Sequence, residues 1–338
     1  MKRATFLDVA ADAGVSRATV SLVMRNSPTI PGDTRERVLR SAEKLGYVYD
    51  RVAASLRSQK SGGAVGIVIT NVGNPFFAEI TKGVESVLSD TGRLVIFGQH
   101  SEDLATQERL LNQLLEFRIQ GVILTPVKGT PVSTIKRLTA NGVAVVLCVR
   151  RLNHSGAGYV GADNVAGAHL AAAHLLAHHL ARLAFVGGGE GSPRSERSRG
   201  IRAAIDERGG DLSKFVSISS PTTREGGYEA TNELLRTVAL PVGIFAYNDI
   251  VAFGVAAAVR DAGLIVGRDV SLVGFDDIQA SRFEQPPLTT VAIDPVGIGR
   301  RAAEALMRAS AAPGEPVEEI TPVHLVVRRS CGCGRKGD

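Results

Sequence analysis

Nine short runs rich in Val, Ile and Leu recur from residue 64 onward, separated by stretches with helical periodicity. Near-continuous apolar runs of this length are typical of strands that are buried on both faces, as in parallel sheets covered by helices. Strands that alternate with helices predict a doubly wound α/β architecture. The predicted strands are residues 64–70, 93–98, 121–125, 143–149, 183–188, 242–247, 271–275, 289–293 and 324–327.

Nine strands are too many for a single sheet of this kind, and we therefore expect two parallel-sheet lobes. The chain should cross between them near residues 160–163 and again near 290–294. Lobe 1 would then comprise about 63–161 and 291–328, and lobe 2 about 162–290. Ligands of such sheets bind beyond the carboxyl ends of the strands, so polar residues at those ends are the candidate ligand contacts.

The amino-terminal residues 5–26 have a different pattern, which predicts two short amphipathic helices joined by a glycine turn. Thr5, followed by Asp8, predicts an N-terminal cap with an acidic residue in the first turn. Gly14 can adopt the left-handed conformation that a sharp turn requires, and Ser16 can cap the second helix. The pattern predicts a helix-turn-helix, whose second helix fits the major groove of DNA. An ordinary helical hairpin is the alternative.

The excess positive charge lies at the same end of the chain. Residues 1–60 carry 11 Lys and Arg against 6 Asp and Glu, whereas the remaining residues carry 28 of each. A basic segment that contains a helix-turn-helix is suited to contact phosphates. A third amphipathic helix, expected over 34–45, completes an all-α headpiece of residues 1–49, and Ser61-Gly62-Gly63 forms a flexible joint after it.

The composition argues against several other classes of protein. Asp8 and Asp12 interrupt the apolar stretch that a signal peptide would need. No run of about 18 uncharged apolar residues is available for a membrane span. Three cysteines, Cys148, Cys331 and Cys333, give no disulfide framework and fit a reducing compartment. We therefore expect a cytoplasmic, nucleoid-associated protein.

With these motifs in order, the sequence resembles the LacI family of bacterial transcription regulators over essentially its whole length. The matching segments are VAADAGVSRATVSLV, RVAASLRS, NPFFAEI, VGADN, NDIVAFG, VGFDD and PPLTTV. The resemblance implies a headpiece, a hinge helix within residues 50–62, and an effector-binding and dimerisation domain, residues 63–338, like a periplasmic sugar-binding protein. It implies a homodimer that binds double-stranded operator DNA, most simply as a repressor. The headpiece makes an enzymatic function unnecessary, and no cofactor is expected.

The resemblance also implies where the headpiece contacts DNA. Arg17, Ala18 and Leu22 occupy the outward positions that read bases. Arg17 can donate two hydrogen bonds to a guanine edge, and Ala18 can contact a thymine methyl group. Leu22 replaces an arginine that is common in the family, so the preference for the operator base pair at that position should differ. The full set of expected DNA contacts is Thr5, Ser16, Arg17, Ala18, Thr19, Ser21, Leu22, Asn26, Tyr47, Asp50, Ala53 and Leu56.

Two of these residues belong to the expected hinge helix. Leu56 matches the leucine that family hinge helices insert between base pairs in the minor groove, which unstacks the step and kinks the duplex. The alternative is a leucine that packs within the protein, but Ala53 and Ala54 offer it little to pack against. Asp50 stands where the family usually has asparagine; it can still cap the hinge but would repel phosphate.

Five residues are candidate effector contacts. Phe76 could lay its ring against the apolar face of a sugar, and Arg197, in a loop after a strand, could donate forked hydrogen bonds. Asn248 and Asp276 each follow a predicted strand, and Asp163 lies on a crossover between lobes. Carboxylates accept hydrogen bonds from vicinal hydroxyls, so we expect a sugar, a sugar acid or a related polyol. A purely structural role is at least as plausible for the neighbouring residues Asp249 and Asp277.

Other polar residues have competing interpretations. Arg150 and Arg151 follow a predicted strand and could bind an acidic ligand, although surface salt bridges are the commoner explanation. His174 and His178 have the i, i+4 spacing of a two-histidine zinc site. Because no third ligand follows them in sequence, and because Cys331 and Cys333 lie in a short polar tail, no metal site is expected. A solute-binding protein would need an export signal, and an α/β enzyme would need catalytic turnover beside Asp276.

Overall fold

The computed structural model describes residues 4–24, 27–47, 63–178, 180–189, 191–311 and 316–333. The chain divides into two compact units, Met1–Gly62 and Gly63–Asp338. Four predicted DNA contacts and the expected hinge helix, residues 50–62, lie outside the described residues; the four are Asn26, Asp50, Ala53 and Leu56. Among the described residues, no helix combines the length and the apolar content that a bilayer crossing requires.

The first unit contains the predicted headpiece helices, α1 (Phe6–Ala13), α2 (Arg17–Met24) and α3 (Gly32–Lys44). Thr5 caps α1 in a capping box: its backbone N–H donates to Asp8 Oδ2 at 2.7 Å, and its side chain accepts the N–H of Asp8. Gly14 adopts the left-handed conformation, with φ 62°. The three helices pack on a small core of buried side chains, namely Val9, Ala10, Ala13, Val20, Val23, Val38 and Ala42.

The second unit is built from strands that alternate with helices, as predicted. Its strands are β1 (Ala64–Ile69), β2 (Leu94–Gln99), β3 (Gly121–Leu124), β4 (Ala144–Cys148), β5 (Gly158–Ala162), β6 (Arg182–Val186), β7 (Phe215–Ile218), β8 (Val242–Ala246), β9 (Val270–Asp276), β10 (Thr289–Ala292), β11 (Glu318–Thr321) and β12 (His324–Val326). Its helices are α4 (Pro75–Leu88), α5 (Leu104–Glu116), α6 (Val132–Ala140), α7 (Asn164–Leu176), α8 (Ser192–Glu207), α9 (Arg224–Leu235), α10 (Asp249–Asp261) and α11 (Pro295–Ala311).

Within the described residues, these strands form two six-stranded sheets, one for each expected lobe. The strand order is β11-β5-β4-β3-β1-β2 in the first sheet and β12-β10-β9-β8-β6-β7 in the second. Neighbouring strands are parallel except for β10 and β12, which are antiparallel. The doubly wound fold is therefore confirmed, and the carboxyl ends of the central strands define the edge where a ligand can bind.

The boundaries of the lobes differ from expectation near the carboxyl terminus. Strand β12 pairs with β10 of the second sheet, with Thr290 opposite Val326, so residues 324–326 belong to lobe 2 and not to lobe 1. The chain crosses between the lobes a third time, between β11 and β12. An apolar run such as HLVV identifies a strand but not its partner, because pairing depends on contacts that are distant in sequence.

Three strands were not predicted. Strand β5 has two glycines among its five residues, β7 has only four residues, and β11, with the sequence EEIT, is charged and half-exposed at the edge of its sheet. Each of them lacks the continuous apolar run on which the other strands were recognised. Strands β7 and β11 lie at the edges of their sheets, where one side faces solvent and no such run is needed, whereas β5 lies inside the first sheet.

Helices α4 and α11 cross in close contact because each has a glycine at the crossing point. A Cβ atom on Gly83 would overlap the carbonyl oxygen of Val296, and one on Gly299 would overlap the carbonyl oxygen of Ile80. The obstacle is helix backbone in both cases, which cannot rotate away as a flexible side chain can. The packing of these two helices on the first sheet therefore requires glycine at both positions.

The substitution Gly299→Ala should accordingly destabilise the second unit by about 1–3 kcal/mol, the usual cost of overpacking. Thermal unfolding followed by circular dichroism would measure it as a lower Tm. Gly189→Ala is a suitable control, since a Cβ atom at Gly189 meets nothing within 4 Å. Equal Tm values for the two variants would contradict this account of the helix crossing.

Candidate functional site

A cleft lies between the two lobes at the carboxyl ends of their strands. Its inner part has an empty volume of about 590 Å³, counting space that is open to solvent. Its polar lining comes from both lobes, with Thr70, Asn74 and Arg150 on one side and Arg197, Asn248 and Asp276 on the other.

Arg197 is the best-anchored side chain of the cleft. Its Nε donates to Asn164 Oδ1 at 3.0 Å, and its Nη1 donates to the carbonyl oxygen of Tyr247. The guanidinium lies 3.6 Å from the centroid of the Phe275 ring, which is a cation–π contact. Burial lowers the pKa of this arginine, and the nearby Asp276 carboxyl opposes that shift. Arg197 is thus a buried cation held in one orientation.

The expectation that Arg197 lies in a loop is wrong, since it lies in the second turn of α8. The segment SPRSERSRG has the polarity of a loop, but Pro193 occupies a first-turn position that favours helix initiation. The inner face of the helix carries the buried arginines Arg194 and Arg197, whose charges are met by hydrogen bonds and aromatic rings. Apolar periodicity could not identify a helix whose inner face begins with arginine.

Asp276 and Asp249 are both buried, but their surroundings differ. Asp249 accepts hydrogen bonds from Ile278 N at 2.9 Å, Ser281 Oγ at 2.6 Å and Thr290 Oγ1 at 2.6 Å, so its role is structural. Burial raises its pKa to about 7. Asp276 lies at the end of β9 and lines the cleft. Burial, and then the charge of Asp249, hold the pKa of Asp276 well above its usual range.

The raised pKa values of these two carboxyl groups predict that the stability of the fold falls as the pH rises. Because the pKa of each group is higher in the folded chain than in the unfolded chain, the folded state binds more protons above about pH 4. The stabilising contribution of Asp249 is complete below about pH 4 and is lost as the pH rises through about 7. The contribution of Asp276 is lost as the pH rises through its own raised pKa. Asp249→Asn should therefore reduce the decline in Tm between pH 5 and pH 8.

The control for this experiment is Asp261→Asn, which replaces an exposed carboxyl group at the other end of α10. It should leave the decline in Tm unchanged. An undiminished decline in the Asp249→Asn variant would show that this carboxyl group does not titrate as its burial predicts.

Three of the remaining predicted contacts are placed as follows. Phe76, at the start of α4, is buried, lines the cleft and meets the Phe77 ring edge-on at 5.1 Å. Asn248 lines the cleft while its Oδ1 caps α10 by accepting the N–H of Val251 at 2.9 Å. Asp163 does not line the cleft, contrary to expectation; its Oδ1 accepts the N–H of Ala166 at 2.9 Å and caps α7.

The sequence pattern missed several cleft residues, of which Asn164 and Thr70 are the most informative. Asn164, next to Asp163, donates to Glu196 Oε2 at 2.8 Å and accepts a hydrogen bond from Arg197. Thr70 follows β1, and its Oγ1 is a buried polar atom for which the described structure provides no hydrogen-bond partner. A buried hydroxyl without a partner is costly, and at the wall of a cleft it is suited to bind a ligand. Their positions at strand ends were the available signal.

Arg150 and Arg151 form salt bridges, the commoner of the two interpretations. Arg150 binds Glu102 through both terminal nitrogens, at 2.5 and 2.7 Å. Arg151 contacts Glu318 at 2.6 Å. Arg150 still lines the cleft, but its charge is largely met by Glu102.

The second helix of the headpiece presents the expected outward face. Arg17 and Ala18 are exposed, and Ser21 and Leu22 are half-buried. Val20 and Val23, on the opposite face, are buried in the headpiece core. The other predicted contacts have structural partners: Ser16 Oγ accepts the N–H of Thr19 at 3.1 Å, and the Tyr47 ring lies 5.4 Å from that of Phe6.

Comparison with known protein families gives two matches that follow the two units. Residues 5–50 match the model of bacterial regulatory proteins of the lacI family. Residues 172–331 match a periplasmic binding protein-like domain. The first range contains the helices of the headpiece, and the second contains most of lobe 2 with the final strand.

Whole-chain relatives extend this assignment. The transcriptional regulator GalR of Escherichia coli is 32% identical over 330 residues, covering 96% of this chain and 95% of GalR. A Lac repressor dimer bound to operator and an anti-inducer has the same fold, with a TM-score of 0.85, 24% identity and coverage of 98% of this chain and 99% of that one. The regulator CelR in complex with cellobiose has a TM-score of 0.71, 29% identity and coverage of 97% and 100%. The chain therefore belongs to the LacI family of bacterial regulatory proteins.

Proposed function

We propose that this chain is a sequence-specific repressor of transcription whose affinity for operator DNA is controlled by a sugar, a sugar acid or a related polyol bound in the cleft. One observation carries the proposal: a single chain combines an exposed basic helix-turn-helix with a cleft whose polar side chains come from two lobes. The first element suits DNA, and the second suits a small hydroxylated metabolite.

The chemistry of the cleft supports a polyhydroxylated ligand. Asp276 can accept hydrogen bonds, Arg197 can donate them, and Thr70 Oγ1 can do either. The ring of Phe76 supplies an apolar surface for the carbon face of a sugar. Because Glu102 meets the charge of Arg150, the cleft offers less attraction to a phosphorylated ligand than its two arginines suggest. The related regulator CelR was solved with cellobiose, which supports the same class.

The headpiece supports binding to a near-palindromic operator by a homodimer. A two-fold dimer presents two recognition helices to successive major grooves, and the related Lac repressor was solved as a dimer on operator DNA. The contacts proposed in the second helix and its cap are Ser16, Arg17, Ala18, Thr19, Ser21 and Leu22, and Thr5 and Tyr47 are proposed outside it. Those expected at Asn26, Asp50, Ala53 and Leu56 remain predictions.

The effector could control DNA affinity through the relative orientation of the two lobes, which three crossovers of the chain connect. A ligand that bridges Arg197 and Asp276 on one side and Thr70 on the other stabilises one relative orientation of the lobes. The effector and the operator are then coupled if DNA binding favours a different orientation. Whether the effector releases the repressor or recruits it depends on which orientation binds DNA better.

A mobility-shift assay on the DNA upstream of the chain's own gene tests the proposal directly. The full chain should shift this fragment in preference to random competitor, and one member of a panel of sugars, sugar acids and polyols should change the affinity. Calorimetric titration of the same panel should show binding of that compound. No preference for any genomic fragment would refute the DNA-binding function, and binding of a purine with none of the sugars would refute the effector class.

A further inference from the structure

The end of helix α7 and the turn after β12 bring together two histidines and two cysteines. The four residues are His174, His178, Cys331 and Cys333, and one ligand atom from each lies within 4.8 Å of the others. Cys333 Sγ is 3.6 Å from His174 Nε2 and 3.4 Å from His178 Nε2. No metal site was expected from the sequence, because neither the histidine pair nor the cysteine pair has further ligands nearby along the chain. That premise fails because the fold brings together the two pairs, which are more than 150 residues apart.

The backbone holds both segments in place. His174 lies in the last turn of α7, and the N–H of His178 donates to the carbonyl oxygen of Leu175 at 2.9 Å. The turn after β12 is fixed to the second sheet through Ser330, whose Oγ donates to the carbonyl oxygen of Leu272 at 2.6 Å. Cys331 is fully buried and accepts a hydrogen bond from Thr289 Oγ1 at 3.2 Å. The cluster thus rests on the core of lobe 2.

The distances between the side chains fit a tetrahedral zinc ion. With metal–sulfur bonds of about 2.3 Å and metal–nitrogen bonds of about 2.0–2.1 Å, a tetrahedral angle separates a sulfur and a nitrogen ligand by about 3.5 Å. The two contacts of Cys333, at 3.6 and 3.4 Å, agree with that separation. The longest separation, 4.8 Å, would have to shorten by about 1 Å, which small side-chain rotations can provide.

The chemistry of the four side chains favours zinc. Zinc binds cysteine thiolates and neutral histidine imidazoles. The cluster offers two residues of each kind, with one ligand atom from each. Two sulfurs with two nitrogens are a usual donor set for zinc.

We propose that His174, His178, Cys331 and Cys333 form a structural zinc site that fastens the carboxyl-terminal turn to the end of α7. Two cysteines and two histidines complete a tetrahedral coordination sphere, as in structural rather than catalytic zinc sites. The site is separate from the cleft, because α7 begins at the cleft with Asn164 and its ten residues to His174 span about 15 Å. Its function is to stabilise lobe 2, independently of the effector.

Metal analysis of the full chain tests the site. Protein produced with added Zn²⁺ and purified under reducing conditions without chelator should contain one zinc per chain by mass spectrometry. Titration of metal-free protein with Co²⁺ alone should produce the visible bands of tetrahedral cobalt and a thiolate-to-cobalt charge-transfer band. Chelation should lower the Tm, because a metal that binds only the folded state stabilises it.

Matched variants locate the ligands. Cys333→Ser and His178→Asn each remove one ligand and should lower the affinity by more than the roughly 10- to 100-fold that loss of a second-shell partner causes. Two control variants should each retain one zinc. Cys148→Ala changes a cysteine in the core of lobe 1, and His169→Asn changes a histidine of α7 that pairs with Glu207 of α8.

Three results would overturn the proposal. The first is reduced full-length protein that binds neither zinc nor cobalt stoichiometrically, an outcome that needs no variant to be folded. The second is unchanged metal affinity in both ligand variants. The third is a Cys331–Cys333 disulfide that persists in reducing buffer. None of these results bears on DNA binding or on the effector, so the two proposals can fail separately.

Discussion

Arg197→Lys should weaken binding of the effector by roughly a hundredfold, equivalent to about 3 kcal/mol. The guanidinium bonds Asn164 and the carbonyl oxygen of Tyr247 while it stacks on Phe275. A lysine ammonium has no planar fork and cannot make these contacts together. Hydrogen bonds to a charged group contribute about 1.5–3 kcal/mol each, so losing the orientation of this cation should remove much of the affinity.

Calorimetry with the panel compound that binds the unmodified chain measures this effect, and Arg194→Lys is the matched control. Arg194 lies on the same helix, is similarly buried, donates to Ser217 Oγ at 2.7 Å and stacks on Phe185, but it does not line the cleft. Arg194→Lys should retain effector affinity even if it lowers the Tm. Equal losses in the two variants would mean that Arg197 supports the fold rather than the ligand.

Arg17→Ala should lower operator affinity by about 1–3 kcal/mol, or roughly 5- to 150-fold, and should relax the preference for one base pair in each half-site. Arg17 is exposed at the first position of α2, beside the turn at Gly14, and the buried face of the helix is fixed by Val20 and Val23. This placement leaves the guanidinium able to reach a base edge without disturbing the headpiece core.

Mobility-shift assays at fixed salt, with the operator and its single-base variants, distinguish base reading from phosphate contact. Arg37→Ala removes an exposed arginine of α3 and serves as the comparison. Any loss that it causes should be the same for all sequences, as expected for phosphate contacts. If Arg17→Ala also weakened operator and random DNA by equal factors, Arg17 would be a phosphate contact and not a reader of bases.

The fold could be predicted largely from local patterns. Apolar runs and capping residues depend on a few neighbouring positions, so the headpiece helices and the nine apolar strands were recognised, whereas strands such as β7 and β11 lacked that pattern. Pairing between distant segments has no local signal. For this reason the sequence could not show that residues 324–326 join the second sheet.

The candidate site was only partly predictable for the same reason. The strand ends indicated the region of Asn248 and Asp276, but the choice between Asp163 and Asn164 depends on which of two neighbouring side chains faces the cleft, and the strand-end position is the same for both. Arg197 was predicted as a hydrogen-bond donor in a loop, whereas its role depends on a helix that buries it against Phe275. The contact of Cys333 with His178 depends on tertiary packing alone.

The three crossovers have a consequence for the evolution and engineering of this chain. Strands β11 and β12 follow each other closely, yet each completes the edge of a different sheet, so neither lobe is encoded by one uninterrupted stretch of gene. Chimeras that exchange a lobe between relatives would need three matched junctions. Recombination at a single breakpoint should therefore diversify the headpiece, which is joined once, far more readily than it diversifies either lobe.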